Sequence, residues 1–306
     1  MIEKTISEKF YGEGLEINPS NNEDICKLDY NHIVKLFENS GLILFRDFNI
    51  KSNEIVKLTD IYTENYANDA LRRSSRMEQK EVRNVDYGNE EMALHSEASF
   101  SPNWPEIIWF FCNEFNTDGR GATTLCDGIK LWDNLSYEAK NFFLLNPIKY
   151  KLRIPVTEKK TGKKTKKWFL NYQGAGDGLL DLSEGLLNIT QIRFAAYPSR
   201  LHNKMCFSNH TLYKDTDPTI IEWGTINGDK IPQNILDETN KKSKEITYDI
   251  SWKKNDLIMI DNKRFMHGRR AFNKGDKRDL VVIQSSLANF AYGATTRKKI
   301  DQNKIN

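Results

Sequence analysis

The sequence lacks the features that mark membrane and secreted proteins. No stretch approaches the roughly 18 uninterrupted apolar residues that a membrane-spanning helix needs. The first residues mix acidic and basic side chains and contain no apolar core followed by small residues, so they do not predict a signal peptide. We therefore expect a cytoplasmic protein with no membrane anchor.

Cysteine is scarce, and neither sign of charge dominates. The four cysteines, Cys26, Cys112, Cys126 and Cys206, form no Cys-x-x-Cys pair, which argues against a disulfide framework or a zinc ribbon. The net charge is +3, from 45 basic and 42 acidic residues, and gives no general reason to expect a nucleic-acid partner. These absences leave an ordinary globular protein with reduced cysteines.

Basic residues cluster once, in residues 158–167, which read Glu-Lys-Lys-Thr-Gly-Lys-Lys-Thr-Lys-Lys. A Thr-Gly step between two strand-like runs is typical of an exposed hairpin tip with solvated lysines. The alternative is a docking patch for an acidic partner. The glycine-rich residues 173–178 are not followed by Lys-Ser/Thr, so they do not form a phosphate-binding loop, and we interpret them as a lid near the site.

No repeat, low-complexity tract or linker divides the 306 residues, so we expect one domain, with a lid or insert around residues 155–200. Short β-type runs separated by Gly, Asn and Asp predict a mainly β protein with a double-stranded β-helix (jelly-roll) core. Those runs are 107–112, 122–126, 204–207, 257–260 and 280–284.

Helices are expected at the periphery of this core. Apolar spacing and capping residues predict them at 31–39, 53–65, 136–145 and 232–243. Ser40-Gly41 ends the first helix, and residues 42–45 then predict a buried strand.

Histidine is rare, so any histidine-containing metal site is easily tested. The five histidines are His32, His95, His202, His210 and His267. His95 and Glu97 are two residues apart before a strand-forming segment, and an extended backbone would turn both side chains the same way. His267 follows a buried-strand run and a turn. Two histidines and one carboxylate on one face of iron(II) leave three positions open for a keto acid and dioxygen.

Arg278 lies eleven residues after His267 and leads into the last predicted strand. A planar guanidinium matches a carboxylate in a bidentate manner, which suits the distal end of 2-oxoglutarate. A structural metal site would have no use for such an anchor.

Two long segments resemble the taurine dioxygenase and clavaminate synthase-like superfamily (TauD/TfdA type). Residues 95–112 read His-Ser-Glu-Ala-Ser-Phe-Ser-Pro-Asn-Trp-Pro-Glu-Ile-Ile-Trp-Phe-Phe-Cys, and residues 119–125 read Gly-Arg-Gly-Ala-Thr-Thr-Leu. Those residues form the first segment. The second segment, residues 228–278, contains Gly228-Asp-Lys-Ile-Pro, Trp252, Asp261-Asn262, His267-Gly-Arg-Arg-Ala-Phe and Arg278. Within the superfamily the sequence is most similar to the natural-product branch, in which Glu replaces Asp in the metal motif. The resemblance covers nearly the whole chain.

The resemblance implies an iron(II)- and 2-oxoglutarate-dependent dioxygenase, with dioxygen as the second co-substrate. It implies metal binding by His95, Glu97 and His267, and binding of the co-substrate carboxylate by Arg278. Relatives that halogenate carry a small residue in place of the metal carboxylate. Because Glu97 is present, hydroxylation or another oxidation without halide is expected.

Further roles are implied by position in the same motifs. A threonine after the glycine-rich turn helps to hold the co-substrate carboxylate in this family; Thr124 fits best, with Thr123 as the alternative. His210 lies where relatives face the substrate, although a structural hydrogen bond would explain it equally well. Arg269 or Arg270 could reach a substrate carboxylate, and one of the two is expected to project outward.

The expected function is hydroxylation of an amino acid or an amino-acid-derived small molecule in secondary metabolism. The acidic residues of the loop 87–94 would either orient a substrate amine or be solvated. One alternative is the same chemistry, hydroxylation or desaturation, on an aminoacyl group tethered to a carrier protein that docks on residues 158–167. An alternative of another class is a non-catalytic jelly-roll module with a structural metal site.

Overall fold

The computed structural model describes residues 1–6, 14–67, 75–76, 79–85, 88–100, 104–155, 179–183, 186–199, 203–212 and 220–290. Within these ranges the chain forms mainly strands, which build a jelly-roll core with helices packed outside it. None of the described helices has the length and apolar character required to cross a membrane.

The elements are numbered in chain order. The strands are β1 (Ile2–Thr5), β2 (Leu15–Asn18), β3 (Leu42–Phe45), β4 (Thr63–Tyr66), β5 (Ser75–Arg76), β6 (Gln79–Asn84), β7 (Met92–His95), β8 (Ile107–Asn116), β9 (Thr123–Asp127), β10 (Ile148–Pro155), β11 (Leu179–Ser183), β12 (Leu186–Arg193), β13 (Ala196–Pro198), β14 (Met205–Phe207), β15 (Ile220–Thr225), β16 (Tyr248–Ile250), β17 (Leu257–Asp261), β18 (Phe265–Arg269) and β19 (Lys277–Ala288). The helices are α1 (Tyr30–Ser40), α2 (Ile55–Asp60), α3 (Gly128–Asn134), α4 (Tyr137–Leu145) and α5 (Gln233–Ile246).

Two sheets form the jelly roll. The larger has the order β1-β2-β3-β17-β8-β19-β6-β5, with β4 also paired to β19, and the smaller has the order β16-β9-β18-β7. Apolar side chains of both sheets form one buried cluster, which includes Leu44, Phe110, Leu125 and Val282. The two sheets therefore pack face to face, and the jelly roll expected from the sequence is confirmed.

The central strands of the larger sheet are buried on both faces, which explains why their sequences do not alternate between polar and apolar residues. Every residue of β3 and of β17 is buried. Leu42 and Leu44 contribute to the cluster between the sheets, whereas Ile43 and Phe45 belong to a second cluster with α1 and α2. The helices thus cover the outer face of the larger sheet.

The first helix agrees with its sequence prediction at both ends. The Asp29 side chain accepts a hydrogen bond from the His32 backbone at 2.6 Å and caps the N-terminus of α1. Gly41 ends the helix in the left-handed conformation, with φ of 68°. A Cβ atom at this position would lie 2.9 Å from the ring of Phe265, so packing as well as conformation requires glycine.

The helix predicted over 53–65 is wrong in its second half. Helix α2 ends at Asp60, and β4 then pairs with β19. The hydroxyl groups of Thr63 and Ser285 are hydrogen-bonded at 2.6 Å across that pair, in a buried position. Pairing with the long strand outweighs the weak helical preference of this segment.

Part of the region 155–200 forms further sheets beside the jelly roll. Strands β11, β12, β10 and β15 make a four-stranded sheet in that order, and β13 pairs with β14. The third apolar cluster joins this region to α3, α4, α5 and the outer face of the smaller jelly-roll sheet. The lysine-rich 158–167, the glycine-rich 173–178 and His202 lie outside the described residues.

Candidate metal centre

Three predicted site residues, His95, Glu97 and His267, converge between the two jelly-roll sheets. Strands β7 and β18 are antiparallel, and their register sets His95 directly opposite His267, with ring centroids 4.5 Å apart. Oε2 of Glu97 lies 3.9 Å from Nε2 of His95 and 4.0 Å from Nε2 of His267. All three ligand atoms lie within 4.8 Å of one another, so they can bind one ion together.

The convergence of His95 and Glu97 has a different local cause from the one expected. Strand β7 ends at His95, and Glu97 lies in the turn that follows rather than in extended chain. Ala98 in this turn has φ of 52°, the left-handed region that residues with a Cβ rarely adopt. A tight turn, not strand alternation, directs the carboxylate toward the two imidazoles.

A backbone hydrogen bond fixes the tautomer of His95. Its Nδ1 lies 3.0 Å from the carbonyl oxygen of Ala93, and a carbonyl can only accept, so Nδ1 carries the proton. Nε2, the atom that faces Glu97, is then left with a lone pair. A hydrogen bond from one ring nitrogen to a backbone carbonyl, with the other nitrogen left unprotonated, is typical of histidines that bind metals.

The donor set fits iron(II). The relative exposures of His95 and His267 are 3% and 4%, and the three side chains offer two neutral nitrogens and one anionic oxygen. Two histidines and one carboxylate with open positions are characteristic of non-haem iron oxygenases. A cavity adjoins the three side chains and is lined by polar and apolar residues of both jelly-roll sheets.

Arg278 faces the same cavity from the larger sheet. Its Nε donates to the Gly121 carbonyl at 2.6 Å, and its Nη2 donates to Oγ1 of Thr123 at 3.3 Å. Burial, together with the nearby positive charge of Arg269, lowers the pKa of Arg278 to about 10, which leaves the guanidinium charged at neutral pH. No carboxylate among the described residues pairs with Arg278, so the cavity presents a partly buried cation to an incoming anion.

Thr123, not Thr124, lies beside Arg278. Neighbouring residues of a strand face opposite sides of its sheet, and Thr123 lines the cavity. Thr124 is the register partner of Gly268 and faces the other side. The geometry therefore favours Thr123, the alternative, over Thr124. The sequence alone does not reveal which of two adjacent threonines points inward.

Arg269 and Arg270 point in opposite directions. Arg269 has 6% relative exposure, lines the cavity, and donates from Nη2 to the Glu90 carbonyl at 3.0 Å. Arg270 forms surface ion pairs with Asp249 at 3.0 Å and with Glu91 at 3.3 Å. Of the two arginines, Arg269 therefore remains the candidate substrate contact, whereas Arg270 and its partner Glu91 lie at the surface.

His210 lies behind the three converging side chains rather than in the wall of the cavity. Its Nδ1 is 3.2 Å from the Ser96 carbonyl, and its ring makes edge contacts with His95 at 5.1 Å and with Phe100 at 4.9 Å. It has 3% relative exposure. This arrangement supports the structural alternative for His210, since the residue contacts a predicted metal ligand and not the cavity.

Sequence reasoning missed the apolar wall of the cavity and one polar residue behind it. Val85, Met92, Phe110 and Val282 line the cavity between the two polar ends. Asn262, which the sequence analysis quoted only as part of a family motif without a role, is fully buried and hydrogen-bonded to the backbone of Glu97. Its place in that motif, after a buried apolar run, was the available signal.

One family of known proteins matches most of the chain. Residues 4–284 match the family described as taurine catabolism dioxygenase TauD, TfdA family. No curated protein matches the sequence.

Solved structures share the fold at low sequence identity. PvcB from Pseudomonas aeruginosa is 14% identical, with a TM-score of 0.58 over 90% of this chain and 87% of that one. AAD-2, solved with Mn(II) and N-oxalylglycine, is 14% identical, with a TM-score of 0.60 over 94% and 96% of the two chains. A putative α-ketoglutarate-dependent taurine dioxygenase from Burkholderia xenovorans is 12% identical, with a TM-score of 0.59 over 94% and 92%. The chain belongs to the TauD, TfdA family of iron(II)- and 2-oxoglutarate-dependent dioxygenases.

Proposed function

We propose that His95, Glu97 and His267 hold the iron of this dioxygenase, and that Arg278 and Thr123 bind the distal carboxylate of 2-oxoglutarate. One observation carries the proposal: the three converging side chains and the partly buried guanidinium of Arg278 line the same cavity. A keto acid bound to the metal could therefore reach Arg278 with its far end.

The hydrogen bonds around Thr123 support its role as a donor. Its Oγ1 accepts from Arg278 at 3.3 Å and from Trp252 Nε1 at 3.0 Å, and neither partner can accept in return. The hydroxyl proton is therefore free to point toward an anion in the cavity. Thr123 and Arg278 then bind one carboxylate from two sides.

When bound, iron(II) supplies the chemistry that couples decarboxylation of 2-oxoglutarate to oxidation of a substrate C–H bond. The chain's own residues prepare the site for this reaction. The carbonyl of Ala93 keeps the His95 proton on Nδ1 and away from the metal side. Phe110, whose ring contacts that of His267 at 5.3 Å, forms part of the apolar wall that limits access of water.

We further propose that the substrate is an amino acid or an amino-acid-derived small molecule, and that the outcome is hydroxylation. Arg269 supports this substrate class, because it is a second cation in the cavity and its guanidinium can bind a carboxylate. PvcB, one of the similar structures, is described as an oxygenase from an isonitrile synthetic pathway, which supports a role in natural-product chemistry. Glu97 leaves no space for a halide ligand in its place.

The same chemistry on a carrier-tethered aminoacyl group is the second candidate. The lysine-rich segment 158–167 favours it, because an acidic carrier surface would be attracted there. Turnover of a carrier-bound substrate that exceeds turnover of the free amino acid, and that declines when these lysines are changed to glutamate, would support this alternative.

The substrate class can be tested with a matched pair of variants. A panel of free amino acids is screened for dioxygen-dependent release of succinate, and the product is analysed by mass spectrometry for a gain of one oxygen atom. We expect Arg269→Gln to raise the KM for the substrate at least about 10-fold, as loss of a charged hydrogen bond implies. Arg270→Gln should behave as wild type. Equal effects of the two variants, or no amino-acid product, would contradict the proposal.

A further inference from the structure

We propose that Asn262 is a positioning residue that holds the Glu97 carboxylate in place for the metal. This inference rests on the proposed role of Glu97 as a metal ligand. It concerns a residue that lies behind the site and does not line the cavity.

Glu97 needs such support because the strand ladder stops before it. Strand β7 ends at His95, so β-pairing fixes the two histidines but does not extend to the carboxylate. The turn that carries Glu97 also contains Ala98 in the left-handed region, at φ of 52°. A residue with a Cβ is disfavoured in that region. The turn therefore requires compensating contacts.

The carboxamide of Asn262 binds both polar groups of the Glu97 backbone. Oδ1 of Asn262 accepts from the Glu97 N–H at 2.9 Å, and Nδ2 donates to the Glu97 carbonyl at 3.0 Å. The same Nδ2 donates to the Pro105 carbonyl at 2.9 Å. A side-chain amide thus replaces the neighbouring strand that Glu97 lacks, and both hydrogens of its NH₂ group are used.

The main chain of Asn262 is joined to the same turn. The hydroxyl of Ser96 donates to the Asn262 carbonyl at 2.6 Å, and Trp104 Nε1 donates to that hydroxyl at 2.7 Å. Asn262 and Ser96 have 0% relative exposure. Because these bonds are buried, loss of the carboxamide leaves the polar groups of the Glu97 backbone without their protein partner and costs free energy.

Binding of Mn(II) to the apo-protein tests the inference without any turnover. Free Mn(II) is measured by electron paramagnetic resonance in wild type, Asn262→Ala and Asn262→Ser. Changes to residues that orient metal ligands typically weaken metal affinity about 10- to 100-fold. We expect a Kd increase of at least about 10-fold in each variant, in protein shown to be folded by circular dichroism.

Asn289→Ala is the matched control. Asn289 also makes two side-chain hydrogen bonds, from Tyr30 at 2.8 Å and to the Ile61 carbonyl at 2.6 Å, but it lies away from the cavity. Its loss should lower thermal stability and leave the Kd for Mn(II) unchanged. The control thus separates a general loss of stability from a specific loss of metal affinity.

A double-mutant cycle identifies the residue through which Asn262 acts. In a Glu97→Ala background the carboxylate is absent, so Asn262→Ala should weaken Mn(II) binding no further. An effect that persists in full would show that Asn262 acts by another route and would overturn the inference. Should Asn262→Ala fail to fold, Asn262→Ser serves in the same cycle with the same expectation.

The inference and the proposed function fail in different ways. Absence of Mn(II) binding to folded wild type would contradict the metal site itself. Normal binding by wild type, lost in His95→Ala but unchanged in the folded Asn262 variants, would overturn only the role of Asn262.

Discussion

Arg278 illustrates a conflict between function and stability in a single residue. Its guanidinium is held by a carbonyl and a hydroxyl and has no carboxylate partner among the described residues. Its lowered pKa means that the charged form, although it still predominates at neutral pH, is less stable in the folded apo-protein than in the unfolded chain, so the charge that would bind 2-oxoglutarate destabilises the empty site.

We therefore expect Arg278→Leu to have opposite effects on binding and on stability. Loss of a charged hydrogen-bond donor should weaken 2-oxoglutarate binding at least about 10-fold. Removal of a poorly compensated cation should raise the apo-protein's free energy of unfolding by about 1 kcal/mol. Isothermal titration and chemical denaturation measure the two effects. A variant that is less stable, with unchanged affinity, would refute this account of Arg278.

Thr123 and Thr124 form a natural matched pair for a second prediction. Thr123→Val keeps the shape but removes the hydroxyl between Arg278 and Trp252, and should weaken 2-oxoglutarate binding about 5- to 10-fold. Thr124→Val, on the opposite face of β9, should leave that affinity within about 2-fold of wild type. A larger loss of 2-oxoglutarate affinity in Thr124→Val than in Thr123→Val would instead favour Thr124 as the threonine that binds the carboxylate.

At the scale of elements, the site depends on the close approach of β7 and β18. Gly268 lies between His267 and Arg269, and its missing side chain allows the two strands to meet. A Cβ there would contact the Met92 carbonyl and would lie 2.8 Å from Oγ1 of Thr124, closer than real Cβ contacts allow. Substitution would push apart the strands that set the two histidines opposite each other.

Gly268→Ala should therefore lower the free energy of unfolding by roughly 1–3 kcal/mol, as overpacking does, and also weaken Mn(II) binding at least about 10-fold. Gly224→Ala is the control, because its Cβ would lie 2.6 Å from the Asp229 carbonyl in a sheet outside the jelly roll. It should lower stability without changing the Kd for Mn(II). Equal loss of metal affinity in both variants would argue against a local role of Gly268.

Elements marked by capping residues or apolar spacing in their own sequence could be predicted. Elements that form only because they pair with a distant strand could not. Helix α1 has a capping Asp29 and a terminal Gly41, and its bounds differ from the prediction by one residue at each end. Strand β4 was taken for helix because its pairing with β19, more than two hundred residues away, leaves no local mark. The proposed metal ligands could be predicted because they lie in motifs, whereas the hydrogen bonds of Asn262 to Glu97 come from long-range packing that no spacing reveals.

At the scale of the whole molecule, the buried turn between β17 and β18 makes stability depend on pH. Burial raises the pKa of Asp261 to about 6, against hydrogen bonds from the Lys263 and Arg264 backbones that lower it. Because the folded-state pKa exceeds the unfolded one, the folded protein binds this proton more tightly. The destabilising cost is present above pH 6 and is relieved as pH falls from 6 toward 4.

Asp261→Asn should remove this dependence, because the amide oxygen can still accept from the Lys263 backbone without carrying charge. We expect the variant to be more stable than wild type at pH 7.5, by on the order of 2 kcal/mol, with a smaller difference at pH 4. Thermal denaturation of both apo-proteins across this range measures the effect. Asp276→Asn, which removes a half-buried carboxylate whose pKa the hydrogen-bonded Arg120 lowers, should not show this pH-dependent gain in stability. A difference in thermal stability between Asp261→Asn and wild type that stays constant from pH 4 to pH 7.5 would show that Asp261 is not the source of the pH dependence.

The central claim is that three converging ligands hold iron and that Arg278 anchors 2-oxoglutarate on it. Its most direct test is an anaerobic titration of apo-protein with iron(II) and then 2-oxoglutarate, monitored by the visible metal-to-ligand charge-transfer band. We expect the band in wild type, a band that requires at least about 10-fold more 2-oxoglutarate in Arg278→Leu, and no band in His95→Ala. Folded wild type without the band, or an unchanged titration in Arg278→Leu, would contradict the claim.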